Sequence, residues 1–302
     1  MSRWKKDERK LCMDAGISPM KRPRIARIGK IRQAWLMVVL LCAWLVTPIR
    51  STAEEIPFTP GERLVYKIKW KKIIIGEAVL DVLPNEIVAN ETAHHFYMTG
   101  KTSSFVDTFN KYRIEIDAYT RMDMARSVYY TSSDVSRKAS ETVILDFDWK
   151  NKNVLYTTQK EKKKGVEKKT KKKDIPLHTF DIFSAMYHLR YQMANLGNRT
   201  EIPTAVTNGR KVLEGKVYVI GKETVELYGQ APRETIHLQL NVDGMGDVRT
   251  AKDKSNFMDI WITDDAMKVP ILIKGKVKIG HVVAELVTIT TNNLVRMPVS
   301  SD

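Results

Sequence analysis

Apolar and polar residues alternate along most of this chain. Leu64, Tyr66, Ile68 and Trp70 fall on one side of an extended segment, and Val65, Lys67 and Lys69 fall on the other. That is the period-two pattern of a strand with one buried face. The turn sequence Phe58-Thr59-Pro60-Gly61-Glu62 leads into it. A second strand is predicted at residues 73–83, interrupted by Gly76, where a bulge or a close backbone approach is expected. Pro84-Asn85 closes it. Further strands are predicted at residues 95–99, 112–118, 128–130, 141–149 and 154–158, with Asn151-Lys152-Asn153 turning between the last two. The pattern resumes at residues 211–220, 224–228, 235–242, 258–263, 269–279 and 282–290.

One segment breaks the alternation. In HTFDIFSAMYHLRYQMANLG, residues 178–197, the side chains Ile182, Met186, Leu189, Met193 and Leu196 recur at spacings of four and three. This places them on one stripe of a helix over 179–196, which Phe183 and Tyr187 widen at one edge. Thr179 or Asp181 can accept hydrogen bonds from the first free backbone N–H groups, and Gly197 can take the left-handed conformation that ends a helix. A broad apolar helix between two β arrays is expected to be the plug against which a curved sheet packs. Parallel βαβ units each need a crossover, and only one helix is available, so the sheet should be mostly antiparallel. The predicted class is mainly β, a strongly curved antiparallel sheet or an open β-barrel or roll with one central helix. There is also an internal echo, Ile75-Gly76-Glu77-Ala78-Val79-Leu80 against Ile279-Gly280-His281-Val282-Val283-Ala284. Either two bent strands chose Gly independently, or the first and last hairpins meet or occupy similar places.

The beginning of the chain follows neither pattern. Residues 34–46 (AWLMVVLLCAWLV) are an uninterrupted apolar run of 13. A bilayer-spanning helix needs about 20 residues, so the run has the length of a signal-peptide core rather than a permanent span. Lys21, Arg22, Arg24, Arg27, Lys30 and Arg32 precede it, and Ser51-Thr52-Ala53 follows as a small–x–small cleavage site before Glu54. Residues 1–53 are therefore expected to be a signal peptide, with an uncut inner-membrane anchor as the alternative, and either Met1 or Met20 as the start. Leu41 stands before Cys42 where lipidation would want a small residue. A single β-rich domain is expected over 54–293 and a loose tail over 294–302. Both cysteines, Cys12 and Cys42, lie in the leader, so the part from Glu54 can form no disulfide and offers no thiol nucleophile.

The net charge of +15 points less to nucleic acid than it first suggests. The leader holds 12 basic and 3 acidic residues, which leaves 38 against 32 in the remainder. Residues 160–174 (KEKKKGVEKKTKKKD) hold 9 lysines and 3 acids, and without them the balance is 29 of each sign. A nucleic-acid surface is not indicated. The tract cannot bury apolar surface, so it is expected to be a solvated hairpin tip or a disordered loop. Its lysines Lys162, Lys163, Lys164, Lys168, Lys169, Lys171, Lys172 and Lys173 are candidate contacts to an anionic membrane surface or another anion.

Candidate chemistry is thin. His94, His95, His178, His188, His237 and His281 show no metal-ligand spacing, and the neighbours His94 and His95 would point to opposite faces of a strand. Asp264-Asp265 reads as turn chemistry, and Ser184 lacks the Gly-x-Ser-x-Gly context of a hydrolase elbow. No catalytic residue, cofactor or metal site is assigned. Arg190 lies close to the apolar stripe, where an arginine needs a partner. Glu62, Asp264 or Asp265 could supply its carboxylate, or it could hold an anionic lipid or peptide headgroup.

Three blocks of residues carry a resemblance. The first is Phe58, Gly61-Glu62, Leu64, Tyr66, Trp70 and Ile75-Gly76-x-Ala78; the second, in the helix, is Asp181, Ser184-Ala185, Tyr187 and Leu189-Arg190. The third is Asp259-x-Trp261-Ile262-Thr263-Asp264-Asp265, Val269-Pro270 and Ile279-Gly280. Together they resemble the bacterial exported domain-of-unknown-function family 3108 over roughly residues 58–290. The lysine tract and the long basic leader depart from its pattern. The resemblance implies an exported, mostly β protein of the cell envelope and brings no catalytic residues with it. The expected function is that of a periplasmic, non-enzymatic binding protein for a lipid, a lipidated chain or another envelope partner. The rival readings are a hydrolase of envelope polymers and an anchored structural or interaction protein.

Overall fold

The computed structural model describes residues 54–162, 165–227, 229–241, 257–277, 280–291 and 294–296. The expectations placed on residues 1–53, Lys163, Lys164, Tyr228, Val242, Ile279 and 297–302 lie outside the described residues. The chain divides into two compact units between Ala53 and Glu54, and the fold below is that of the second.

The first half is a meander of eight strands: β1 (Arg63–Trp70), β2 (Ile73–Val88), β3 (Glu91–Thr102), β4 (Tyr112–Arg121), β5 (Ser127–Ser136), β6 (Ala139–Asp148), β7 (Asn153–Lys162) and β8 (Gly165–Asp174). A short helix α1 (Ser104–Asn110) joins β3 to β4. Next come β9 (Thr179–Asp181) and helix α2 (Ile182–Ala194), followed by β10 (Glu201–Thr207), β11 (Val212–Val225) and β12 (Arg233–Asn241). The last strands are β13 (Phe257–Thr263), β14 (Pro270–Val277), β15 (Gly280–Thr291) and β16 (Leu294–Arg296). All belong to one sheet of order β8-β7-β6-β5-β4-β3-β2-β1-β15-β14-β13-β12-β11-β10-β9, with β16 added to β15. The sheet does not close. Its strand pairs are antiparallel except β9–β10. The sheet is thus mostly antiparallel, as expected, and α2 is the crossover of its parallel pair.

The Ile-Gly echo has a structural meaning. β1 pairs with β2 on one side and β15 on the other, with Gly76 opposite Ile68 and Val282 opposite Trp70. Both glycine-bearing segments thus flank the Trp70 end of the same strand. A Cβ at Gly76 would lie 2.7 Å from the Lys101 carbonyl oxygen, and Gly280 has φ +92°, so each position has its own need for glycine.

α2 is where the sequence reading needs most correction. The helix starts at Ile182 rather than 179, because residues 179–181 pair as β9, and Asp181 caps it by accepting from the backbone N–H groups of Phe183 and Ser184. Thr179 instead donates to the Pro176 carbonyl. Burial is not confined to one stripe. Phe183, Tyr187 and Tyr191 join a core cluster built from β1 to β4 and β13 to β15. Leu189 and Met193 join a second with Ile202, Val217, Leu238 and Ile262 from β10 to β13. At 100° per residue Tyr187 and Leu189 point some way around the helix from each other, so the sheet must curve about α2 to cover both. Ile182, assigned to the buried stripe, is 55% exposed. A helix enclosed on most sides does not announce its contact face through periodicity.

The lysine tract is neither a loop nor a simple tip. It forms β8, which pairs with β7 from Asn153↔Asp174 to Lys162↔Gly165 and is exposed at every position. β7 is fixed by its own buried face of Val154, Tyr156 and Thr158. The backbone ladder it offers needs no apolar side chain on the partner, and edge lysines oppose the addition of another strand. β11 runs through the gap expected at residues 221–223. Within the expected loose tail, Leu294–Arg296 pair with β15.

Candidate functional site

Several of the residues that carried the family resemblance, among them Phe58, Glu62, Tyr66, Tyr187 and Arg190, meet at a buried node. Arg190 Nη1 donates to Glu62 Oε1 at 2.6 Å and Nη2 to Glu62 Oε2 at 2.9 Å. Nη2 also donates to the carbonyls of Pro57 at 2.8 Å and Met267 at 2.9 Å. Arg190 is 0% exposed and Glu62 1%. Burial works to lower the Arg190 pKa, but Glu62 beside it raises it on balance. Tyr187 stacks on Phe96 at 3.8 Å with the rings 2° apart, and burial drives its phenol well above the ordinary value. The Tyr66 hydroxyl donates to Pro270 O at 2.7 Å. The node therefore ties together the segment before β1, the middle of α2 and the β13–β14 turn. This is the structural pair of the two expected alternatives, with Glu62 as the carboxylate.

Asp264 and Asp265 are not its partners. Asp264 pairs with Lys222 at 2.5 Å and Lys268 at 3.4 Å. Asp265 accepts from Thr263 Oγ1 and from the N–H groups of Met267 and Lys268, which is the expected turn chemistry. Gly61, at φ +94°, donates its N–H to Val82 O at 2.7 Å and aims the chain into β1. Trp261 stacks on His237 at 4.4 Å, and Trp70 lies under the Lys71 ammonium at 5.0 Å. Asp181 accepts from Ser127 Oγ at 2.6 Å besides capping α2; burial pushes its carboxyl up against those hydrogen bonds. Ser184 is fully buried. His94 and His95 do find separate partners, His94 at Asn85 and the Met122 carbonyl, His95 between Glu86 and Asp117. Among the described residues no group of three or more His, Cys, Asp or Glu is arranged to hold a metal ion. The tract lysines of β8 stand apart from the node, along the sheet edge.

A cleft of about 610 Å³, which no sequence pattern had marked, opens beside α2. That volume lies within the range of about 300–1,000 Å³ typical of ligand sites. Its walls are the β4–β5 turn at Met124 and Ala125, the segment Pro176-Leu177-His178, the α2 residues His188, Tyr191 and Gln192, and Pro203, Thr204, Ala205 and Gly215 of β10 and β11. His188 Nδ1 donates to the Met124 carbonyl at 2.8 Å. Burial lowers its pKa to about 4, so the imidazole is neutral. The Tyr191 hydroxyl donates to Glu54, and burial first and this carboxylate second raise its pKa. Arg199 is taken up by the Leu196 and Asn195 carbonyls and Gln192. The cleft's polar side chains are thus taken up by bonds within the protein, and its rim carries the exposed acids Glu54, Asp123, which pairs with Arg121 at 3.2 Å, and Glu214.

Taken together, these features define an open, mostly antiparallel β protein wrapped on a single helix that is locked by a buried ion pair. The chain belongs to the family described as protein of unknown function (DUF3108), whose model matches residues 65–287. A solved structure, the beta-barrel-like protein of domain of unknown function DUF1849 from Brucella abortus, is similar at 10% identity and a TM-score of 0.46, over 78% of this chain and 99% of that one. No curated protein matches the chain.

Proposed function

We propose that the protein is exported and works in the periplasm as a non-enzymatic binding protein, taking a basic, partly apolar segment of another envelope protein into the cleft beside α2. The cleft carries this reading, with exposed apolar surface from Leu177 and Pro203 and three acids on its rim. The concave side of the sheet is filled by α2 and its aromatic neighbours, which favours a surface partner over an enclosed lipid.

A leader cut before Glu54 is compatible with the packing of the residues that follow it. Asn195 holds both the N–H and the carbonyl of Glu55, Pro57 accepts from Arg190, and Phe58 packs edge-on against Phe96 and Tyr187. A cut before Glu54 leaves all of these in place. N-terminal sequencing of protein recovered from the periplasm should read Glu54 first, and an intact leader in the membrane fraction would support the anchored alternative. Native mass spectrometry of the same material should show an adduct of polypeptide mass. Glu214→Lys and Leu177→Asp, both at exposed positions, should remove it. A bare mass in every preparation, or an adduct that survives both substitutions, would sink the docking reading, and an adduct of lipid mass would replace the partner class.

A further inference from the structure

At one end of the sheet, three neighbouring turns are joined into a single platform. The N–H of Ser103, which caps α1, donates to Ile75 O, and its hydroxyl donates to Ile74 O, so α1 is pinned to the start of β2. Arg137, in the β5–β6 turn, donates to the Asp107 carbonyl of α1. Platform side chains that would ordinarily be buried are in solvent: Ile73 is 52% exposed, Ile74 46%, Phe105 63%, Phe109 72% and Val135 50%. Phe105 and Phe109 stand one helical turn apart with ring centroids 5.7 Å from each other. Around them the exposed cations are Lys71, Lys72, Lys101, Lys111, Arg137 and Lys138. The acid of α1, Asp107, is neutralised by Arg113 at 2.5 Å. The turns at the opposite end of the sheet mix the two signs, with Glu91 paired to Arg126 and Asp264 to Lys268.

We propose that this platform docks the protein on an anionic lipid bilayer, with Phe105 and Phe109 entering the interface and the lysines meeting the headgroups. Apolar insertion or basic attraction alone gives weak, reversible binding, and the two together give stable binding. The platform supplies both. A soluble protein partner would match the apolar side chains as well, but exposed cations from three neighbouring turns, with Asp107 paired to Arg113 and Glu77 to Lys67 and Lys101, are complementary to a uniformly negative surface. Docking by this end turns the cleft beside α2, which opens toward the β4–β5 turn, away from the membrane.

The test is co-sedimentation of the full chain with vesicles of phosphatidylcholine alone and of equimolar phosphatidylcholine and phosphatidylglycerol. The leader is identical in every variant and cannot produce a difference among them. The wild-type chain should partition more strongly onto the anionic vesicles, and less so as salt rises. Phe105→Ser with Phe109→Ser should lower that partitioning about tenfold or more. Each lysine is worth about fivefold near an anionic surface, so Lys71, Lys72, Lys111 and Lys138 together changed to Gln should lower it more than about a hundredfold. Hydrogen exchange on the wild type gives a readout free of any folding defect, because vesicles should protect residues 103–112 and the β1–β2 turn. Equal partitioning of wild type and variants overturns the proposal. So does protection confined to β8, or a dimer formed through this face without lipid.

Discussion

Replacing Arg190 by methionine leaves the Glu62 carboxylate buried with no counter-charge. Arg190 and Glu62 are 0% and 1% exposed and meet through two hydrogen bonds, a geometry in which removing one partner costs about 3–5 kcal/mol. The carbonyls of Pro57 and Met267 lose a donor in the same substitution, so the upper half of that range is expected. With a urea dependence of about 3 kcal/mol per molar, the unfolding midpoint should fall by roughly 1–2 M. Glu62→Leu alone should be similarly damaging, because it strands the guanidinium. The double variant Glu62→Leu/Arg190→Met contains no buried charge and should recover much of the loss, since apolar replacements of buried pairs are often nearly neutral. A double-mutant cycle measured by urea unfolding should therefore give a coupling of about 2 kcal/mol or more. If Arg190→Met lies within about 0.5 kcal/mol of wild type, or if the two losses simply add, the node does not hold the three segments together as argued.

Three further outcomes follow from the same packing. Leu189→Ala should cost about 2–5 kcal/mol and Ile182→Ala less than about 0.5 kcal/mol; equal urea midpoints for the pair would contradict the buried faces assigned to α2. In acid, His188 should act as a stability switch. Burial lowers its pKa from 6.5 to about 4 and lowers that of His94 as well. The unfolded chain therefore takes up protons that the folded chain refuses, and stability present above pH 6.5 is lost as the pH falls toward 4. For His188 that amounts to about 3 kcal/mol; His188→Gln should flatten the slope of stability against pH, and an unchanged slope would refute the assignment. Gly76→Ala places a methyl 2.7 Å from the Lys101 carbonyl and should cost about 1–3 kcal/mol. Gly221→Ala meets nothing within 4 Å and should leave the thermal midpoint unchanged or slightly raised.

The strands were readable because each obeys a rule local to itself. Leu64 and Tyr66 alternate with polar neighbours, and that alone places them inward. Arg190 beside an apolar stripe demanded a partner, and Glu62 was one of three carboxylates in view. What the sequence does not display is how the faces combine. α2 contacts two separate clusters, so its buried residues do not sum to one stripe, and Ile182 was assigned to the interior on spacing alone. β10 carries Pro203, which argues against a central strand. The proline is tolerated because β9 pairs only with Ala205 to Thr207, which leaves Pro203 on an open stretch. α1 spans only seven residues, too few to show a period, and its signal was limited to a Ser103 cap followed by two phenylalanines four apart. The cleft comes from segments separated by up to 161 positions, from Glu54 to Gly215, and no local rule joins them.

The lysine strand also reads differently once its register is known. Directly paired residues of an antiparallel ladder share a face. Lys169, Lys171 and Lys173 therefore stand on the side of Thr158, Tyr156 and Val154, while Lys168 and Lys172 stand on the side of Gln159 and Leu155. A flat membrane can meet one set or the other but not both, so the tract as a whole is a poor docking face. Its charge suits a different need. A sheet that does not close has two edges, and here β9 is three residues long while β8 is ten. The short edge offers little to pair with; the long one would recruit further strands unless it were charged. The excess positive charge of the chain beyond Glu54 is thus tied to the openness of the fold. The β7–β8 tip, at Lys162 and Gly165, ends on the same side of the sheet as α1. There it adds to the positive field of the platform, but the insertion itself rests with Phe105 and Phe109.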